Sequence, residues 1–440
     1  MRTVITRELM NKMNMSKVEI YNRKNYLGFA WLIWGLAAAF YFSDYMARVA
    51  PGVMHRYLQM DFGINEAGFG ILTASFYIPY IFMQIPVGLT VDRLSIRWLL
   101  TVMSLITAFG CCVFGLADGL MMASIGRMLI GFSAAFAFVC SLRLATSWFP
   151  PTMLGLLSGL TQSLGMLGAA AGEAPVSFLV SNVGWRHSML IIAFLFIALA
   201  GLLYQFIQDK PGGHRHEVRS VNRVSILQSL KIILSSRQTW LNALYAGFLF
   251  GPTAVIGEAI GPAYLQYGRG LGMHAAAFAT GLIFIGWGIS GPLSGWISDR
   301  MGRRKPLMII SAVFGVILTT MFVFLPNLSQ TTAYLIFFAF GVTNTGVAIA
   351  YAVSTELHDR NVVGTSIAFT NMTSIFVGAL LQPLVGRLVD MVSGSRAYNV
   401  ETLLLSDFQA GLKLLPLCSL VALVLAFTIK ETYCKPVKHA

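Results

Sequence analysis

Six charged residues stand inside long apolar stretches of this chain: Asp44, Arg48, Arg127, Arg143, Glu173 and Glu258. A charge in such surroundings is costly unless it faces a cavity or a partner. Two kinds of chemistry fit these residue types. A carboxylate can take up and release a proton, and a guanidinium can hold an anion. Tyr41, Asp44, Tyr45 and Arg48 fall on one face of a helix, and Trp34 extends that face. Asp44 and Arg48 are four residues apart and could simply neutralise each other. Thr73, Tyr77, Tyr80 and Gln84 share a second polar face, which either packs against a neighbouring helix or lines a cavity. Glu258 lies in Gly257-Glu258-Ala259-Ile260-Gly261-Pro262. Glycine and proline there can break a helix and expose carbonyls near a binding site, so Glu258 is a candidate proton carrier or substrate ligand. Arg143 is read as either a cavity cation or a snorkelling arginine.

The elements that position these groups follow from composition. The chain has 440 residues, 56% hydrophobic and 11% charged, against about a quarter charged in a soluble domain. Its mean hydropathy is +0.70. At about 20 residues per span the length accommodates roughly twelve membrane helices and no large soluble domain. The apolar runs place them at 28–54, 67–90, 98–117, 120–145, 155–181, 187–208, 238–266, 274–297, 306–325, 331–354, 362–390 and 407–429. With both termini inside, about 22 of the 31 Lys and Arg fall on the inner side and about 6 outside, so a cytoplasmic location is expected for both ends. The net charge of +13 therefore reads as membrane topology and not as a nucleic-acid surface. The basic segment 209–237 divides the spans six and six. The expected organisation is a cytoplasmic segment 1–27, a six-helix bundle 28–208, a linker 209–237 with a surface helix, a second bundle 238–429 and a tail 430–440. The polar, basic start followed by a span-length run argues against a cleaved signal peptide.

Cys111, Cys112, Cys140 and Cys418 lie in apolar runs and Cys434 near the end, with no Cys-x-x-Cys pair. His55, His187, His274 and His358 are scattered near span ends. No metal site, cofactor or nucleotide-binding loop is expected, and neither is an enzyme active site.

The halves repeat. Gln162, Gly165, Ala169 and Glu173 have the spacing of Asn371, Ser374, Gly378 and Gln382. This sets Glu173 opposite Gln382 across a pseudo-twofold axis. Small residues between them permit close packing. Glu173 is then either a proton carrier or a protonated group bonded to a neighbouring helix. Gly88-Leu-Thr-Val-Asp92-Arg93 after the second span recurs as Gly295-Trp-Ile-Ser-Asp299-Arg300 after the eighth, each followed by further bases.

This duplicated loop resembles the signature of the major facilitator superfamily, at the two places that family carries it. The resemblance covers essentially the whole chain. The first copy departs from the family pattern in having Ser95 where glycine is usual and a basic run reduced to Arg97. The resemblance implies an all-α membrane protein of two pseudo-symmetric six-helix bundles working by alternating access. It also implies that Gly88, Asp92, Arg93, Gly295, Asp299 and Arg300 belong to the inner gate. Arg127-Met-Leu-Ile-Gly131 resembles a fourth-span pattern tied in the family to proton coupling. By that pattern Asp44 pairs with Arg127, leaving Arg48 for an anionic substrate. Gly184-Trp185-Arg186 resembles a frequent family turn. The Gly-Pro-x-x-Gly-Gly run of drug exporters is missing from the fifth span. Asp44-Tyr-Met-Ala-Arg48-Val-Ala-Pro51 is similar to the first span of bacterial metabolite and organic-anion symporters.

The expected function is proton-coupled uptake of a small organic solute, with an organic anion as one class, since Arg48 and Arg143 would attract an anionic group. Asp44, Arg127, Glu173 and Glu258 are the expected proton-coupling set. Tyr41, Tyr45, Arg48, Tyr77, Tyr80, Gln84, Arg143, Gln162, Asn371 and Gln382 are the expected substrate-binding set. The chain is expected in the inner membrane as a monomer, its partners being the solute, protons and lipid. The rivals are proton-driven export of a metabolite, siderophore or drug, and a receptor that binds solute without moving it.

Overall fold

The computed structural model describes residues 17–150, 153–209, 226–358 and 362–435. Within these, the side chains of 17–27, 85, 89, 92, 93, 226 and 227 stand outside the description. The described chain is helical, with no strand. Odd-numbered spans run outward and even-numbered spans inward, taking the inner side as the basic one.

The first span is Lys17–Val49, continued by a tight turn Ala50–Met54 and a short outer helix His55–Phe62. The second comprises Glu66–Ala74 and Tyr77–Arg93, and the third and fourth are Ile96–Gly115 and Leu120–Trp148. The fifth and sixth form one run, Leu154–Phe206, broken only at Gly184. The seventh is Arg237–Val255, extended by wide helical turns at Ile256–Ile260 and Tyr264–Gly268. The eighth and ninth are Met273–Met301 and Lys305–Phe324. The tenth is Gln330–Thr343 with Thr345–Glu356, the eleventh Val363–Ser393, and the twelfth Leu405–Leu412 with Leu414–Thr428.

Three boundaries differ from the sequence reading. The first helix begins at Lys17 and not at 28, because backbone hydrogen bonding carries a helix past the edge of its apolar run. It ends at Val49, ahead of Pro51, and the expected span to 54 includes the tight turn. The expected gap between 181 and 187 is a single residue, Gly184, whose φ of 78° and ψ of 162° suit glycine alone. Of the linker, 210–225 lies outside the described residues. Its described end holds the expected short helix, Ile226–Ser235.

The two halves pack by the same plan. The first span lies against the fifth and the seventh against the eleventh. In the N-terminal half a Cβ on Gly131 would come within 1.9 Å of the Phe76 carbonyl oxygen, and its counterpart on Gly341 within 2.0 Å of that of Ile283. Only glycine lets the fourth span meet the second, and the tenth the eighth, this closely. The bundles meet along three seams, joining the first and seventh, the second and eleventh, and the fifth and eighth spans.

Candidate functional site

The first–seventh seam brings together a buried pair of opposite charges. Arg48 Nη2 lies 2.8 Å from Glu258 Oε1, and its Nε and Nη2 donate to Oε2 at 3.2 and 3.1 Å. Both side chains are 3% exposed. The Tyr77 hydroxyl donates to the same Glu258 oxygen and accepts from Arg48 Nη2 at 3.4 Å. Gln382 Nε2 donates to that hydroxyl at 3.5 Å and to the Ala254 carbonyl at 2.8 Å. The guanidinium carbon stands 5.0 Å from the ring centres of Tyr45 and Tyr77 and 5.4 Å from that of Phe76. Four spans thus converge on one ion pair. Its closeness follows from the wide turn at Ile256–Ile260, which carries Glu258 toward the first span.

Inward of this pair the polar groups become less buried. Tyr41 donates to Gln162 Oε1 at 3.3 Å and lies 3.4 Å from the Tyr45 hydroxyl. Asn371 Nδ2 donates to Gln84 Oε1 at 2.9 Å across the bundles, and the Tyr351 hydroxyl donates to Asn371 Oδ1 at 2.8 Å. Tyr45, Tyr80, Gln84, Gln162, Tyr351 and Asn371 are all half-buried. Tyr351 was not among the expected residues. It lies in an apolar helix with no charged neighbour to mark it.

The expected ion pairs involving Asp44 are absent among the described residues. Arg48 is taken by Glu258. Arg127 donates to the carbonyls of Ala47 at 3.1 Å and Thr73 at 3.5 Å, with its guanidinium 5.0 Å from the Phe76 ring centre. Asp44 is 2% exposed and its Oδ1 accepts no hydrogen bond from the described residues. The reading that left Arg48 free for substrate is corrected in the same way: in this state an internal carboxylate occupies it. Glu173 stands apart from this cluster, fully buried, with neither carboxylate oxygen bonded among the described residues. Arg143 is half-buried near the inner end of the fourth span, with no partner among the described residues.

On the outer side the bundles are tied. Asp390 Oδ1 and Oδ2 accept from the backbone N–H groups of Glu66 and Ala67, both at 3.0 Å. Gln59 donates to Glu66 Oε1 at 2.7 Å and to the Ala397 carbonyl at 3.2 Å, and accepts from the Val400 N–H at 2.8 Å. His55 Nε2 lies 3.1 Å from Glu66 Oε1, its ring stacked on Phe69. Sequence reading assigned none of these a role, since Gln59 and Glu66 are more than 300 residues from their partners in the other bundle. Toward the inner side, Ser163 and Gln84 make the last hydrogen bonds between bundles among the described residues. The site is therefore closed to the outside.

The second signature loop is internally bonded. Arg304 Nη1 lies 2.7 Å from Asp299 Oδ1, and its Nη2 lies 2.7 Å from Glu356 Oε1 at the end of the tenth span. Glu431 accepts from the Arg304 and Lys305 N–H groups at 2.8 and 3.1 Å. Arg300, expected in the inner gate, is exposed, with its guanidinium 5.4 Å from the Trp296 ring centre. Gly295 is half-buried and Gly88 exposed, and a Cβ on either would meet open space. The side chains of Asp92 and Arg93 lie outside the described residues.

The family model described as Major Facilitator Superfamily matches residues 33–383. The hexuronate transporter of Bacillus subtilis is 24% identical over 363 residues, covering 79% of this chain and 85% of that protein. The "Probable galactarate/D-glucarate transporter GudP" of Escherichia coli K12 is 22% identical over 383 residues, covering 79% and 84%. Among solved structures, a bacterial homologue of the human lysosomal transporter Spinster, in an inward-facing and unoccupied conformation, superposes with a TM-score of 0.74. It is 15% identical, with 91% of this chain and 98% of that one covered. Twelve helices in two like-packed halves, with the signature loop in each, agree with these matches: the chain belongs to the major facilitator superfamily.

Proposed function

We propose that this protein takes up a small organic acid together with a proton, and that the Arg48–Glu258 pair is where the two are exchanged. The observation that carries the reading is a buried guanidinium bound to an internal carboxylate across the bundle interface. Arginine binds carboxylates in a planar fork, and an anionic substrate can replace Glu258 only if Glu258 gives up its charge or moves away. A proton on Glu258 would therefore release Arg48 for the substrate. Loss of the substrate inside, followed by loss of the proton, would restore the pair. This order favours co-transport, since a bare Glu258 excludes the anion and a bare Arg48 is a buried, unpaired charge.

Tyr45, Tyr80, Gln84, Gln162 and Asn371 supply hydrogen bonds for the rest of a hydroxylated solute. Asp44 and Arg127 form a second titratable region one turn away from Arg48, and Arg143 would draw anions toward the inner mouth. Two relatives of this chain bear the names of sugar-acid transporters, which supports a polyhydroxylated carboxylate as substrate class. We further propose an inner-membrane monomer with both ends cytoplasmic, and a gate at Asp92, Arg93 and Asp299 that closes the inner side when the site opens outward.

The test is uptake of radiolabelled D-glucuronate and D-glucarate into proteoliposomes under an inward proton gradient. Gradient-dependent accumulation is expected, with its loss in Arg48→Lys. Binding of the acid should fall at least tenfold in that variant, and of a neutral sugar analogue far less. Accumulation driven only by a gradient of the opposite sense would make the protein an exporter. Binding without flux would make it a receptor.

A further inference from the structure

Glu173 sits in the outer half of the fifth span, away from the Arg48 cluster. It is 0% exposed, and neither carboxylate oxygen has a hydrogen-bond partner among the described residues. A buried carboxyl without a donor is strongly unfavourable, so its surroundings are informative. They come from three other elements. Gly52, in the turn that ends the first span, faces it, and Gly281 of the eighth span packs on its stem, with an ideal Cβ at Gly281 3.5 Å from Glu173 Cβ. The third element is the wide turn of the seventh span, Ile256–Ile260, whose Glu258 and Ala259 carbonyls lie against the same face of Gly52.

Three oxygens gather on the bare side of Gly52. A Cβ placed there would lie 3.2 Å from the Ala259 carbonyl oxygen, 3.7 Å from Glu173 Oε1 and 3.7 Å from the Glu258 carbonyl oxygen. Three acceptors converge, one of them a carboxylate, and no donor among the described residues reaches that carboxylate. The group that completes such a cluster must be electron-poor, and it must accept oxygen ligands from an irregular helix. Distorted helical turns in membrane transporters present carbonyls to small monovalent cations in this way.

We propose that Glu173, together with the carbonyls of Glu258 and Ala259, forms a sodium site beside Gly52, separate from the organic-acid site. The same wide turn serves both sites. The Glu258 carbonyl lies against the face of Gly52 that Glu173 also approaches, while the Glu258 carboxylate faces Arg48. A cation held at Glu173 fixes the turn that presents Glu258 to Arg48, which gives the ion a route to influence anion binding without touching the anion. The buried state of Gly52 leaves space that any larger residue would fill.

The test is saturation binding of radioactive sodium to the purified full-length protein in detergent, with choline chloride keeping ionic strength constant. One saturable sodium per protein is expected. Glu173→Gln keeps the shape and removes the charge, and should weaken sodium binding at least tenfold. Gly52→Ala should also weaken it, by placing a methyl group among the ligands. Both variants should elute as the wild type does on size exclusion, and sodium should raise the melting temperature of the wild type but not of Glu173→Gln. Absence of saturable sodium binding to the wild type overturns the proposal whatever the variants do. So does sodium binding that survives in Glu173→Gln, or stabilisation by acid pH alone, which would make Glu173 a proton carrier. Organic-acid binding measured on the same protein in choline chloride separates the two readings. If it persists and depends on Arg48 while sodium does not bind, only the sodium site fails; if sodium binds and no acid does, only the proposed function fails.

Discussion

Arg48 is held by two carboxylate oxygens, a phenol hydroxyl and three aromatic faces. This arrangement keeps a permanent cation in the membrane interior while no substrate is bound. Its counter-ion is replaceable, since a protonated glutamic acid no longer competes for it. Glu258→Gln imitates that neutral state at all pH values. In the wild type, acid binding should strengthen as pH falls, because protonation of Glu258 frees Arg48. In Glu258→Gln this dependence should flatten, measured by calorimetry between pH 5 and 8, where about ten times as many protons are present for each unit fallen. Exchange of labelled for unlabelled substrate should persist in the variant, while accumulation against a gradient should vanish. A pH dependence unchanged in Glu258→Gln would place the coupling proton elsewhere, with Asp44 the next residue to test.

At the scale of elements, backbone geometry limits what can change. Gly184 turns the fifth span into the sixth with a φ of 78° that other residues adopt only under strain. Gly184→Ala should lower stability by about 1–3 kcal/mol, read as a reduced melting temperature in detergent. Gly131 makes a closer contact, its Cα facing the Phe76 carbonyl. Gly131→Ala must push the second and fourth spans apart at the level of Tyr77 and Arg127. Substrate binding should fall along with stability, whereas Gly184→Ala, which is distant from the site, should leave affinity near that of the wild type. Equal affinity in both variants would mean that the site tolerates movement of the second span.

Across the whole molecule, the outer closure rests on a few bonds between halves. Asp390 accepts two N–H groups at the start of the second span, which Asn65 also caps through the Gly68 N–H at 2.9 Å. Hydrogen bonds to a charged acceptor contribute about 1.5–3 kcal/mol, so losing them should shift the balance between closed and open outer gates roughly tenfold or more. Asp390→Ala is expected to raise amide exchange across 55–70 and to leave that of the third and ninth spans unchanged, as followed by mass spectrometry. Unchanged exchange at 55–70 would mean that Gln59 and the surrounding apolar packing hold the gate without it.

The sequence by itself determined the membrane class, the twelve spans, the gathering of basic residues on one side and the repeat of the two halves. These are local properties: apolar length, charge placement and recurring spacing are visible without knowing which helix touches which. It also picked out Arg48, Glu258 and Gln382, because charge and amide groups inside apolar runs are conspicuous, and Tyr77, because it shares a polar helical face. Their pairing was decided only by the tertiary structure. Asp44 was near Arg48 in sequence and near Arg127 by family pattern, yet Arg48 formed its ion pair with Glu258, 210 residues away. Sequence spacing fixes the face a side chain occupies but not the partner a second bundle brings to it, and the distorted turn at Ile256–Ile260 is what extends Glu258 to that partner. The same reason kept Tyr351, Arg304 and the outer Gln59–Glu66–Asp390 group out of the reading. Each owes its role to a contact between separate helices: Tyr351 and Arg304 within the second half, the outer group across the two halves.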